Sequence, residues 1–410
     1  MDDYQVVRRI AEGRFGTVFE ATKLSTGQRV AIKKVRARRP MAGFTYDPWS
    51  RSAKREIEVL GGVAHAHVIP LLDHAAPADG STTLLVYEYM AWDVATALER
   101  LLPMAEAQVK AMLQMLFRGL AHLHLRGVMH RDLKPANLLL DGASGVLKIA
   151  DFGSSRFALG QDREERAPAA EGEGTGLLTN EVCTRWYKSP EMLFGSLDYG
   201  FSVDLWAAGC LVCELLSPEG KALFPGNSDL EQLCLIFQAR GTPREDEWPE
   251  VCRLPDYSKV EFKACEPKPF AFEDSRSNAA VGLARGLLQL PPQRRTPAAD
   301  ALEHDFFKSE PAAVEPHQLL EGLGEPAHSG AGGPPSDVSP LFECDYGSDD
   351  SFLGCPQGEF EPVEIETTTG QLWDDEALDG ARPDDEACQR SGCRTPPPPA
   401  GGEHRFKVKQ

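Results

Sequence analysis

The hydrophobic period of this chain changes near residue 90, and that change limits its architecture more than any other feature. Residues 4–36 alternate apolar and polar in the manner of strands, as "YQVVRRIAE", "GTVFEATKL" and "QRVAIKKVR", the last two joined by the polar turn "STGQ". A helical stretch over 50–61 and a further, largely apolar strand, "TTLLVYEYM" (82–90), complete this part. Beyond it Val109, Met112, Leu113, Leu116, Leu120 and Leu123 recur at helical spacing, and Gly127 can close that helix. Helical segments dominate from there to about 308. The prediction is an α+β chain in which a small β-rich unit precedes a larger helical one, giving two lobes with a cleft between them.

With 410 residues the chain is long enough for two globular units, or for one large unit and a tail. Its charge chooses the second. Residues 311–410 carry 20 Asp/Glu and 6 Lys/Arg, a balance of −14, which leaves −5 of the total −19 for residues 1–310. A near-neutral body with an acidic Pro/Gly-rich appendage implies neither nucleic acid nor a membrane as partner. The appendage lacks periodicity, contains "TPPPPAGG", and is expected to be disordered. The opening "MDDYQVVRRI" does not read as a signal peptide, and Asp2 excludes N-myristoylation. The longest apolar run, "LWAAGCLVCELL" (205–216), includes Glu214 and is too short for a bilayer, so it reads as a buried helix. Cys210 and Cys213 form a C-x-x-C inside that run, with no second pair at zinc spacing. Buried reduced thiols and a reducing compartment are expected.

The polar residues that carry chemistry stand at the turns. "RRIAEGRFGTVFEA" (8–21) has Gly13 and Gly16 where a G-x-G-x-x-G phosphate loop would have them, but holds Ala11 at the first position. Alone this is weak, because glycine-rich hairpins are common structural turns. Lys33 ends "VAIK" seventeen residues after Gly16, where it can grip phosphates beneath the loop, and Glu56 on the next helix can hold it by an ion pair. The decisive stretches are "HRDLKPAN" (130–137) and "DFG" (151–153). Phosphoryl transfer demands positioning and charge neutralisation more than covalent work. Asp132 can orient a substrate hydroxyl and accept its proton, and Lys134 can meet charge on the transferring group. Asn137 and Asp151 offer hard oxygen ligands suited to Mg²⁺. His130 is expected to pack beneath the loop and to transfer no proton.

With these motifs together, the chain resembles a eukaryotic protein kinase of the cyclin-dependent kinase group, from about Tyr4 to Phe307. "TRWYKSPEML" (184–193) resembles the group's segment after the activation loop, "DLWAAGC" (204–210) its buried central helix, and "FPGNSDLEQLCLIFQARGTP" (224–243) its insert. "KKVRARRPMAGF", "AEAQVKAMLQML", "DLEQLC" and "LPDYSKVEFK" (254–263) resemble the cell-cycle-related kinase branch, whose members are linked to ciliary or flagellar length. The resemblance implies a bilobal protein kinase fold: N-lobe and hinge over 1–90, C-lobe over 91–310, and the tail over 311–410. It implies an ATP- and Mg²⁺-dependent serine/threonine kinase that is proline-directed. Adenine would meet the hinge residues Glu88, Tyr89 and Met90, with Tyr87 as gatekeeper, between Ile10, Val18, Ala31 and Leu139. Asp204 would bond the catalytic-loop backbone, and Glu191 would pair with Arg295.

Further implications concern control. Thr179 matches the group's activating phosphothreonine, and Arg55, Arg131 and Arg156 match its phosphate clamp, where a phosphate brings about −1.5 to −2 charge. The middle of the segment between Gly153 and Thr184 is expected to be disordered. Partners implied are protein substrates including other kinases, an upstream activating kinase, and a cyclin-like or non-cyclin activator. Locations implied are the cytoplasm, the nucleus and the cilium or flagellum. The chain departs from the group at Ala11, at Ser154 and Ser155 after the DFG, at Ser189 of Ser-Pro-Glu, and at Lys188 in place of arginine. "SRSAKRE" is unlike the cyclin-contacting sequence of cell-cycle members. No side chain expected to touch phosphate or metal is missing, so an active enzyme is predicted. The alternative is a pseudokinase scaffold acting through its tail.

Overall fold

The computed structural model describes residues 2–13, 16–36, 51–76, 82–158, 185–322 and 407–408. Thr179 with the rest of 159–184, and residues 323–406 of the tail, lie outside the described residues, and with them the disorder expected of both.

The small lobe is a five-stranded antiparallel sheet in the order β1-β2-β3-β5-β4. Its strands are β1 (Tyr4–Gly13), β2 (Gly16–Lys23), β3 (Arg29–Arg36), β4 (Leu71–Ala75) and β5 (Thr82–Glu88). Period-2 alternation divides the side chains between two cores. Val30, Ile32, Leu84 and Val86 close one small buried cluster with Ala21. Val35, Leu85 and Tyr87 enter the main core on the other face, beside Ala53, Val59 and Leu60 of helix α1 (Arg51–Gly62). Lys33, one residue beyond Ile32, shares the second face.

The large lobe is built on two helices that differ as their sequences predict. In α3 (Glu106–Leu125), which follows the short β6 (Trp92–Asp93) and α2 (Val94–Leu101), the periodic leucines and methionines are buried. The polar Glu106 and His122 lie half-buried. After α4 (Pro190–Leu193), helix α5 (Ser202–Leu216) buries every residue from Val203 to Leu216, as a helix apolar all round must. Cys210 and Cys213 sit within it as buried thiols outside any disulfide, and burial pushes the Cys213 thiol up. Helix α7 (Asn278–Leu287) packs on α5, and α6 (Asp229–Arg240) packs on α4.

Between the lobes, short strands carry the polar loops: β7 (Val128–Met129), β8 (Leu138–Leu140), β9 (Leu147–Ile149) and β10 (Arg156–Phe157). β9 is tied back to the chain leaving α1. Ile69 N–H donates to the Ile149 carbonyl at 2.9 Å, and Ile149 N–H to that of His67 at 3.0 Å. The residues just before the DFG therefore move with the small lobe's connection.

The packed chain runs past the boundary placed at 310. Val314 N–H donates to the Ala107 carbonyl at 3.2 Å, and Leu319 and Leu320 are buried. Composition set the boundary too early because 311–322 shares the tail's prolines and acids, while its anchoring leucines are only two. Lys407–Val408 pairs antiparallel with Val260–Glu261.

Candidate active site

The glycine hairpin closes with Gly13 opposite Gly16, and a side chain at Gly16 would put its Cβ 2.1 Å from the Lys34 carbonyl oxygen. Glycine is therefore required there. Ala11 follows an irregularity in the β1–β2 register and is exposed on the edge strand opposite Val18, so its methyl meets no crowding.

Lys33 lies on β3 with its ammonium 2.9 Å from Glu56 Oε2 and 2.8 Å from Asp151 Oδ1. Burial would depress the ammonium's pKa, but the two carboxylates outweigh it and raise the value above that of an ordinary lysine. At Asp151 burial acts upward, and Lys33 overcomes it and holds the carboxyl below its usual range. Both groups stay ionised. Helix α1 brings Glu56 here by packing against the turn Phe152–Ser154, so closely that a Cβ on Gly153 would lie 2.3 Å from Ser52 Oγ.

The catalytic loop is held by α5. Asp204, fully buried, accepts the backbone N–H of His130 at 2.8 Å and of Arg131 at 2.7 Å. Those bonds support Arg131 at φ 67°; Asp151 is also left-handed, at φ 65°. Such conformations cost on the order of 1–3 kcal/mol each for a non-glycine residue. His130 bonds the Ala150 carbonyl through Nε2 at 2.9 Å and packs edge-on against Phe152, beneath the loop. Above it Lys134 lies 2.8 Å from Asp132 Oδ2, and Asn137 donates to the Asp132 carbonyl at 2.7 Å and to Oδ2 at 3.2 Å.

Between these charged groups and the hinge, Ile10, Val18, Ala31 and Leu139 are half-buried apolar residues, while Ile32, Leu138 and Leu140 beside them are closed off. Half-exposed apolar side chains on facing strands suit a flat aromatic ring. Tyr89 and Met90 are buried, and Glu88 is ion-paired with Lys148.

The protein kinase domain family matches residues 4–307. Cyclin-dependent kinase 20 of Homo sapiens is 41% identical over 339 residues, covering 82% of this chain and 92% of that protein. Its Danio rerio counterpart is 39% identical over 321 residues, 78% of this chain and 87% of that protein. Cyclin-dependent kinase D-1 of Oryza sativa subsp. japonica is 38% identical over 319 residues, 78% and 70% respectively. The chain is a serine/threonine protein kinase of the cyclin-dependent kinase group.

Kinases of this family use ATP and Mg²⁺, and the donor set suits that ion. Mg²⁺ is usually held by one or two carboxylates together with substrate phosphates and waters. Asp151 is an ionised carboxylate, and Asn137, its N–H₂ spent on Asp132, presents an amide oxygen.

Two of the arginines expected to clamp a phosphate bond the chain at the end of the DFG and just after it. Arg131 donates through Nε to the Ser154 carbonyl at 2.7 Å and through Nη1 to the Tyr199 hydroxyl at 2.9 Å. Its remaining terminal nitrogen is buried with no hydrogen-bond partner among the described residues. Arg55 Nη1 reaches the Gly153 carbonyl at 3.3 Å. Arg156 stands near enough that its charge adds to burial in lowering the Arg131 pKa.

Glu191 and Arg295 form a two-pronged buried pair, both bonds 2.7 Å. Sequence reasoning missed three contacts: Tyr87 to Glu56, Tyr187 to Glu214 at 2.7 Å, and Tyr199 to Arg131. Each joins residues at least 27 positions apart, and no local spacing signals them.

Proposed function

We propose that this kinase transfers the γ-phosphate of ATP to Ser or Thr followed by Pro, and that a phosphate on Thr179 switches it on. The observation that carries the transfer reading is Lys33 held between Glu56 and Asp151, 2.9 and 2.8 Å away, beside the Asp132–Lys134–Asn137 loop. Lys33 binds and orients the nucleotide's phosphates. Asp132 orients the attacking hydroxyl and takes its proton, and Lys134 stabilises charge on the transferring group. Bound at Asn137 and Asp151, Mg²⁺ supplies neutralising charge to the phosphate oxygens. The Arg131 nitrogen that is buried without a partner among the described residues favours the Thr179 switch, since an anion would satisfy it.

The resemblance to the cell-cycle-related branch extends the proposal. Protein substrates include other kinases, and partners include an upstream kinase and a cyclin-like or non-cyclin activator. The sites of action are the cytoplasm, the nucleus and the cilium or flagellum, with control of organelle length as the role. The test is transfer from Mg²⁺-ATP to a Ser-Pro peptide by purified protein phosphorylated on Thr179. Lys33→Met and Asp132→Asn are each expected to lose at least roughly 100-fold in rate. ATP binding survives better in Asp132→Asn, which keeps the phosphate grip of Lys33. No transfer by the wild type, or full transfer by either variant, replaces this reading with the scaffold.

A further inference from the structure

Glu56 is nearly inaccessible, and its two oxygens are divided between two donors. Oε2 accepts Lys33 at 2.9 Å, and Oε1 accepts the hydroxyl of Tyr87 at 2.6 Å. The second donor comes from the sheet. Tyr87 pairs with Ala31 and Leu85 with Lys33, so Tyr87 and Lys33 lie on the same face, towards α1. The phenol is buried, and burial first, then the Glu56 charge, push its pKa well above the ordinary value. It stays protonated and remains a donor.

We infer that Tyr87 is a positioning residue for phosphoryl transfer: its hydroxyl holds Glu56, and through it α1, at the place where Glu56 fixes Lys33. The inference rests on the transfer reading above and deepens it. A buried carboxylate oxygen that loses its donor is costly to keep in place. Without the hydroxyl, Glu56 gains by swinging α1 towards water, and Lys33 is left to Asp151 alone. The opposite side of α1 gives no equal grip on the carboxylate. There the helix meets the Phe152–Ser154 turn through Ser52 and through the long Arg55–Gly153 contact of 3.3 Å. The tether thus links the back wall of the nucleotide cleft to the lysine that grips phosphate.

The test is Tyr87→Phe, which keeps the ring and removes only the hydroxyl. We expect kcat to fall about 10-fold, or about 1.4 kcal/mol in barrier, with peptide KM unchanged. In a Glu56→Ala background, which has no oxygen for the hydroxyl to hold, the same change is expected to cost less than about 2-fold. Amide hydrogen exchange over 51–62 is expected to speed up in Tyr87→Phe. Unchanged kcat, an equal loss in both backgrounds, or unchanged exchange would each overturn the tether; a general packing defect gives the equal loss. If the wild type transfers no phosphate, the transfer reading fails on its own, while exchange over α1 still decides whether Tyr87 holds the helix.

Discussion

The ammonium of Lys110, wholly buried in α3, donates to the Ser309 carbonyl at 2.6 Å and also to the Pro311 carbonyl at 2.8 Å. A buried lysine without such acceptors would be strongly destabilising. Its acceptors therefore tie residues 309–311 to α3.

Truncation after residue 322 is expected to leave peptide phosphorylation within a factor of ~2 of the full chain. Truncation after 310 removes one Lys110 acceptor and the buried Leu319 and Leu320. Full burial of a leucine is worth about 1.5–3 kcal/mol, so a loss of several kcal/mol follows, seen as a fall in Tm of at least about 5 °C. Equal melting of the two truncations would show that 311–322 adds nothing to the body.

Thr179→Ala is expected to lower activity and to speed proteolysis within 159–184, since Arg55, Arg131 and Arg156 then lack their anion. Glutamate at 179 restores only part of the rate, because a carboxylate has fewer oxygens and less charge than phosphate. Phosphorylated and unphosphorylated protein of equal activity would rule the switch out.

Lys188 is almost enclosed, with Nζ 3.8 Å from Asp229 Oδ2, and Asp229 also accepts Arg185 Nε at 2.8 Å. In this group an arginine at position 188 bonds the backbone carbonyl that would otherwise receive the N–H of the residue after the phosphoacceptor. Proline has no N–H, so it is preferred there. A lysine shared with Asp229 can donate to that carbonyl only as a mobile ammonium, without arginine's planar fork. A positional peptide library should show proline enrichment in the wild type, and Lys188→Arg should strengthen it by about 3-fold, the scale of one modest hydrogen bond. No enrichment in either protein removes proline direction from the reading.

Glu214 supports the same region from below, accepting the Tyr187 hydroxyl at 2.7 Å. Burial pushes its carboxyl up to about 7, only partly opposed by that hydrogen bond. The folded state thus binds this proton more tightly than the unfolded state does. The contribution to stability is fully present below the ordinary glutamate value, falls as pH rises, and is gone above about 7. Relative to Glu214→Gln, the wild type should lose stability between pH 5 and pH 8, by on the order of 3 kcal/mol at most. Thermal melts of both proteins at the two pH values measure it, and a constant difference between them refutes the shift.

The sequence by itself determined the elements and the chemical cast. Alternation in 4–36 and 82–90, the helical period of 109–123 and the all-apolar 205–216 are local patterns, and the structure forms strands and helices on them. Lys33, Asp132, Asn137 and Asp151 were legible because their motifs are short and contiguous. Tertiary structure alone decided which oxygen of Glu56 meets Tyr87, that Lys110 straps down 309–311, and that Glu214 rests under Tyr187. It also decided that Arg131 and Asp151 sit at positive φ. The reason is physical. Periodicity records which face of an element is buried, whereas these contacts depend on which buried polar groups find partners once distant elements pack, and that cost exists only in the folded interior.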